Sequence, residues 1–180
     1  LIATRLSAQC TDARVNIVTK VLFEKYKTLE ELANAELSDI EVIVKSCGLY
    51  KTKANDILGI CNQLLDRYNG VVPDTIEELI TLPGIGRKTA NLIVGDVYKK
   101  PAVVVDTHCI RITNLIGLVS SKNPLLIEKE LRKLLPPHDS NDFCHRLVLH
   151  GRAVCKARNP NCSICSLNSF CKHYNSKKNI

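Results

Sequence analysis

The stretch LPGIGRKTAN, residues 82–91, decides how this chain folds and what it can bind. Gly84 and Gly86 can adopt a positive φ and expose their backbone amides, which residues with a Cβ do less readily. The segment from Arg87 onward has helical periodicity, so the positive end of a helix dipole lies at the same place. Amides and dipole together favour an anion such as a phosphate. The stretch therefore predicts a helical hairpin with an anion-binding turn, and a plain tight turn is the alternative.

Two side chains near this turn have complementary chemistry. Lys88 is an amine at the start of the helix, where the dipole disfavours an ammonium. The apolar residues 103–105 end in Asp106, which fits a helix N-cap. A neutral amine can act as a nucleophile, and a fixed carboxylate can move protons. We therefore predict that Lys88 and Asp106 form a catalytic pair.

The net charge of +7 is concentrated at one end of the chain. Residues 143–180 contain seven Lys or Arg and no Asp or Glu, whereas residues 1–142 contain 18 basic and 18 acidic residues. A surface of one sign favours a polyanion, and nucleic acid is the first candidate. A solubilising surface, which would mix both signs, is the alternative. No apolar stretch approaches the roughly 18 to 20 residues of a membrane span, and no secretory signal is evident, so a membrane partner is not expected.

Four of the nine cysteines lie within one short segment. Cys155, Cys162, Cys165 and Cys171 have the spacing C-x6-C-x2-C-x5-C. Without a secretory signal, four thiols so close together favour a metal centre over disulfides. Zinc sites usually combine two CxxC pairs or histidines, and thiolate-only ligation also suits an iron–sulfur cluster. The spacing by itself leaves both metals open.

Almost the whole chain has helical periodicity, so the sequence predicts an all-α fold. Thr75 and Glu78 have capping-box spacing before a short helix, which places a helix-hairpin-helix at about residues 75–97. GLYKTKANDI, residues 48–57, aligns with residues 84–93 at a displacement of 36. It lacks the second glycine and the amine. We interpret it as a second DNA-facing turn without chemistry, and both turns are expected to present a protruding aliphatic tip.

Taken together, these motifs resemble the endonuclease III family of DNA glycosylases with an associated lyase activity. The resemblance rests on LSAQCTD (residues 6–12), GLYKTKA, LPGIGRKTAN, VDTH (105–108), LHGR (149–152) and the four cysteines. It covers nearly the whole chain. It implies two all-α domains, residues 1–102 and 103–180, with a DNA groove between them. It also implies a [4Fe–4S] cluster on the four cysteines, which holds a basic loop against DNA.

The same resemblance implies a role for individual residues. Lys88 would be the nucleophile and Asp106 its partner, removing an oxidised pyrimidine from duplex DNA and cleaving the strand 3′ to the abasic site by β-elimination. Gln9 and Leu49 would fill the gap left by the extruded nucleotide, although a helix-end amide and a buried contact are the plainer interpretations. The other expected DNA-contacting residues are Gly84, Ile85, Gly86, Arg87, His108, Lys156 and Arg158.

Alternative functions stay open at this point. They are a mismatch or pyrimidine-dimer glycosylase of the same superfamily, and a non-catalytic DNA-binding module. The chain begins with Leu1 inside an apolar run, so the family's preceding helix is expected upstream. A monomer is expected, located in the cytoplasm at a bacterial nucleoid, or in the nucleus or an organelle of a eukaryote.

Overall fold

The regular secondary structure is helical throughout the part of the chain that the structure describes. The structure is a computed structural model that describes residues 1–178, with the side chains of residues 1–176. No β-strand occurs within that range, so the predicted all-α class is confirmed. Its α-helices are α1 (Ile2–Leu6), α2 (Asp12–Lys25), α3 (Leu29–Ala33), α4 (Leu37–Val44), α5 (Tyr50–Tyr68), α6 (Ile76–Leu79), α7 (Arg87–Leu92), α8 (Thr107–Ile116), α9 (Pro124–Leu134), α10 (Ser140–Ala153) and α11 (Lys172–Lys178).

The contacts divide the chain into two compact units, Leu1–Ile93 and Val94–Ile180. The division falls where α7 passes into a π-helical segment, Ile93–Val97. The domain boundary between residues 102 and 103 stays a prediction.

The core of the first unit is built mainly from one face each of α2, α4 and α5, with one residue each from α1 and α3. In α2 the buried residues are Val15, Val18 and Leu22, which recur at the three- to four-residue spacing of a helix face. Thr11 begins this helix as N-cap, and its hydroxyl accepts a hydrogen bond from the Arg14 amide at 3.4 Å. The other buried residues of this core are Leu6, Leu32, Ile40, Val44, Cys47, Ala54, Ile57 and Cys61.

In the second unit, helix α8 holds Asp106 in place. The helix begins directly after this residue and ends just before Gly117, whose φ of 90° lies in the left-handed region that suits glycine at a helix end. Ile112 of α8 is completely buried, as are Ile127 and Leu131 of α9. The position of Asp106 is therefore fixed by a well-packed helix. Within residues 1–178, no helix is both long and apolar enough to cross a membrane.

Candidate functional site

The hairpin predicted from the sequence is present in the first unit. Thr75 begins α6 as N-cap: its hydroxyl accepts a hydrogen bond from the Glu78 amide at 3.3 Å and donates one to the Glu78 carboxylate at 2.6 Å. The predicted pairing of Thr75 with Glu78 is therefore confirmed. The chain leaves α6, turns through residues 83–86 and enters α7 at Arg87.

Gly84 is required by the protein itself. Its φ is +66°, and a Cβ at this position would overlap the guanidinium of Arg5 and the carboxylate of Asp56. Those two side chains form an ion pair with an Nη2–Oδ2 distance of 2.6 Å. Both the backbone conformation and the space around it thus exclude a side chain at residue 84.

Gly86 differs from Gly84 in both respects. Its φ of −88° is open to any residue, so the expected positive φ is wrong at this position. No atom lies within 4 Å of the place that its Cβ would occupy, and the residue is exposed. Nothing inside the described protein needs a glycine here. Glycine does, however, let a ligand approach the backbone closely.

Ile85 does not form a protruding tip. Only 5% of its surface is exposed, so that expectation is wrong for the second turn, and a contact of Ile85 with DNA can involve only its backbone. The reason is the helix register. Ile85 precedes the N-cap Gly86 of α7, a position whose apolar side chains pack inward against the helix. The equivalent Leu49 is itself the N-cap of α5 and is 58% exposed.

Lys88 is the second residue of α7, and it is exposed to solvent. Arg87, the first residue of that helix, is half-buried. Lys88 is therefore an exposed residue in the first turn of α7, two positions after the exposed Gly86. An exposed amine next to a backbone without a side chain can reach a ligand that comes close to the turn.

Gln9 and Leu49 belong to the same unit and share an unusual backbone. Both are exposed, and both have a positive φ, 55° for Gln9 and 48° for Leu49. Residues with a Cβ seldom adopt this conformation, and it is found mainly where the surrounding structure enforces it. Leu49 is therefore not the buried contact that the plainer interpretation of the sequence suggested.

Asp106 caps α8 in the second unit. Its Oδ1 atom accepts a hydrogen bond from the Cys109 amide at 2.7 Å, which confirms the predicted N-cap. His108 is half-buried, and its Nδ1 lies 3.2 Å from Nη2 of Arg111. The same guanidinium nitrogen donates to the carbonyl of Cys155 at 2.7 Å. Arg111 thus fastens α8 to the start of the cysteine loop, a role that no sequence signal indicated because the two residues are far apart in the chain.

The four clustered cysteines line one cavity of about 350 Å³ in the second unit. Its wall also contains apolar residues such as Ile112 and Leu115. Within the described residues, no three Cys, His, Asp or Glu side chains are close enough to bind a single metal ion. Four soft thiol donors around a cavity of this size fit an iron–sulfur cluster.

Other groups around this cavity influence the thiols. Burial raises the pKa of the Cys155 thiol above its usual value, so ligation by its thiolate releases a proton. Nε2 of His150 lies 3.5 Å from Sγ of Cys165.

Lys156 and Arg158 are exposed on the loop between the first two cysteines. The loop therefore presents positive charge to solvent between two of the thiols that line the cavity.

Comparison with known proteins agrees with this arrangement. Residues 2–137 match the family of HhH-GPD superfamily base excision DNA repair proteins, and residues 155–171 match the iron-sulfur binding domain of endonuclease III. The chain is 42% identical to endonuclease III of Rickettsia felis, covering 98% of this chain and 83% of the relative. It is 44% identical to endonuclease III of Synechocystis, covering 95% and 78%.

A solved structure supports the same assignment. A trapped endonuclease III–DNA covalent intermediate superimposes with a TM-score of 0.89 at 43% identity, covering 98% of this chain and 84% of that chain. The iron–sulfur domain match, together with the cavity lined by four thiols, identifies the cofactor as a [4Fe–4S] cluster. This chain belongs to the endonuclease III family of base-excision DNA glycosylases with AP lyase activity.

Proposed function

We propose that this chain removes oxidised pyrimidines from duplex DNA and cleaves the strand 3′ to the resulting abasic site, with Lys88 as nucleophile. The observation that carries the proposal is that Lys88 is exposed in the first turn of α7, two positions after Gly86, whose backbone has open space beside it. In that position the amine can meet a deoxyribose whose phosphate contacts the hairpin turn. For the amine to reach C1′ of the deoxyribose, the nucleotide must leave the base stack, at a cost of a few kcal/mol.

The proposed chemistry is covalent catalysis by an amine. Nζ of Lys88 attacks C1′, and the glycosidic bond breaks with its electron pair leaving on the base, which takes up a proton. The sugar ring opens, and the amine nitrogen and C1′ form an imine. Loss of a C2′ proton then expels the 3′ phosphate by β-elimination. Water hydrolyses the imine and releases Lys88.

Asp106 has the complementary task in this proposal. Its carboxylate stabilises the positive charge that develops on the sugar and transfers protons during elimination. The hydrogen bond from the Cys109 amide fixes the orientation of the carboxylate, so no conformational search precedes the reaction.

We assign the remaining predicted residues to DNA binding. Gln9 and Leu49 fill the gap left by the extruded nucleotide, and both are exposed. The hairpin turn contacts the DNA backbone through Gly84, the backbone of Ile85, Gly86 and Arg87. His108, Lys156 and Arg158 contact sugar or phosphate, for which positive charge is the main source of affinity.

Cys155, Cys162, Cys165 and Cys171 would hold the [4Fe–4S] cluster. When bound, the cluster would join the four thiolates through its iron atoms and so fix the loop that carries Lys156 and Arg158. Glycosidic cleavage followed by β-elimination is redox-neutral, so the proposed reaction assigns the cluster no electron transfer. We further propose that the chain acts at a bacterial nucleoid, since its relatives include bacterial enzymes. We also propose that it acts as a monomer.

A panel of duplexes tests the proposed function. Each duplex carries one lesion: thymine glycol, dihydrouracil, a uracil mismatch, a pyrimidine dimer, 8-oxoguanine or a plain abasic site. We expect cleavage at thymine glycol, dihydrouracil and the abasic site. Cleavage confined to the mismatch or the dimer would instead indicate one of the related glycosylases. Retention of the abasic duplex without cleavage would indicate a non-catalytic binding module.

The two glycines of the hairpin provide a paired prediction. Gly86→Ala is expected to change the free energy of unfolding by less than about 1 kcal/mol, because only the N-cap preference opposes it. It should nevertheless weaken binding to abasic duplex, because a methyl group enters the space next to the turn amides. Gly84→Ala, which meets Arg5 and Asp56 at a positive φ, should cost about 1–3 kcal/mol of stability.

Chemical denaturation and fluorescence anisotropy with labelled duplex measure the two effects. If Gly86→Ala binds duplex as tightly as the unmodified chain, DNA does not approach the turn at this residue.

A further inference from the structure

Lys53 is buried in the interior of the first unit, although lysine is among the residues least often found there. None of its surface is exposed. Its Nζ donates three hydrogen bonds, to the carbonyl oxygens of Leu6 at 2.9 Å, Ala8 at 2.8 Å and Cys47 at 2.8 Å. An ammonium has three donors, so its capacity is fully used.

The carbonyls that Lys53 binds belong to two segments that are distant in the sequence. Ala8 directly precedes Gln9, and Cys47 lies two residues before Leu49. One ammonium therefore joins the backbone next to each of the two residues that are proposed to fill the gap in DNA. Both Gln9 and Leu49 have the left-handed backbone that persists mainly where neighbouring structure enforces it.

Burial works against the positive charge of Lys53, and the three carbonyl hydrogen bonds work in its favour. Burial lowers the pKa of Lys53, as expected for an ammonium withdrawn from water. The carbonyl oxygens replace the lost hydration. At the equivalent place in the second hairpin, 36 residues later, the chain has Thr89, which is too short to reach so far. Hydrogen bonds of the kind that Lys53 makes are thus specific to the turn that carries Leu49.

We propose that Lys53 is a positioning residue that holds the Gln9 segment and the Leu49 turn at the separation needed for both side chains to enter the gap left by the extruded nucleotide. This inference rests on the proposed gap-filling role of Gln9 and Leu49. Lys53 touches neither the substrate nor the reacting atoms. It acts through the backbone of the two segments.

The test compares three variants on two substrates. Lys53→Met keeps an unbranched side chain, one atom shorter, and removes its donors, and Leu49→Ala removes one proposed gap-filling side chain. Ile57→Val is the matched control, because Ile57 is a completely buried residue one turn further along α5. The substrates are an abasic site in duplex DNA and the same site in a single strand, where there is no base stack and no gap to fill.

We expect Lys53→Met and Leu49→Ala to slow duplex cleavage by roughly 10- to 100-fold, the loss typical of a small misplacement around a reacting group. Single-strand cleavage should be unchanged in both. A 2-aminopurine next to the abasic site should report less unstacking in the duplex with either variant. Ile57→Val should retain both cleavage rates and the fluorescence change. Thermal melting confirms that each variant is folded at the assay temperature.

Any one of the following results would overturn the inference. If Lys53→Met behaves like Ile57→Val while Leu49→Ala is slow, Lys53 does not position the segments, although the gap-filling proposal survives. If Lys53→Met slows both substrates equally, its effect is general loss of structure. If Leu49→Ala itself has no effect, the gap-filling proposal fails and the inference fails with it. If Lys53→Met does not fold, Lys53→Gln takes its place, since glutamine retains two donors. Its ratio of duplex to single-strand cleavage rates is then compared with that of the unmodified chain. An unchanged ratio would also reject the inference.

Discussion

Replacing Lys88 by Gln is expected to abolish trapping of the protein on abasic DNA by borohydride. Trapping requires an imine between a primary amine and C1′, and the glutamine amide cannot form one. Removal of a catalytic nucleophile lowers rates by factors on the order of 10⁶ in a well-studied enzyme, so strand cleavage should fall below detection. Denaturing gel electrophoresis of the cross-linked product measures the effect directly.

The exposure of Lys88 makes this variant informative. Substitutions at exposed positions usually change stability by no more than about 0.5 kcal/mol, so Lys88→Gln should stay folded and still bind the duplex. Lys20→Gln, at an exposed position on α2, removes the same charge elsewhere and should trap normally. Undiminished trapping by Lys88→Gln would exclude Lys88 as the nucleophile.

Replacing Asp106 by Asn is expected to slow base removal by roughly 10²- to 10⁴-fold, the usual contribution of a general acid or base. Asparagine caps a helix about as well as aspartate. The hydrogen bond to the Cys109 amide can therefore persist while the negative charge is lost. Single-turnover release of thymine glycol from duplex measures the loss.

Asp106→Ala separates the two tasks of this residue. It removes both the charge and the cap, so it should slow base removal to a similar extent and also cost about 0.5–2 kcal/mol of stability. Asp106→Asn should match the unmodified chain in urea unfolding. A normal rate of base removal in Asp106→Asn would mean that the carboxylate serves only as a helix cap.

Local signals in the sequence were sufficient to predict much of the fold and part of the candidate site. Helical periodicity predicted the all-α class. The N-caps at Thr75 and Asp106 depend on residues three positions apart, so the sequence contains all that is needed to predict them. The spacing of the four cysteines likewise predicted one metal-binding loop, and these thiols line one cavity.

The sequence by itself determined which residues form the hairpin, the caps and the cysteine loop, because each depends on neighbours within one or two turns. Only the tertiary structure decided which side chains of the hairpin face inward and what the buried charges contact. Ile85 is buried and Leu49 exposed because the two helices begin one residue apart in the internal repeat. Lys53 binds the carbonyl of Leu6 and Arg111 that of Cys155, each more than 40 residues away in the chain, and folding alone brings these groups together.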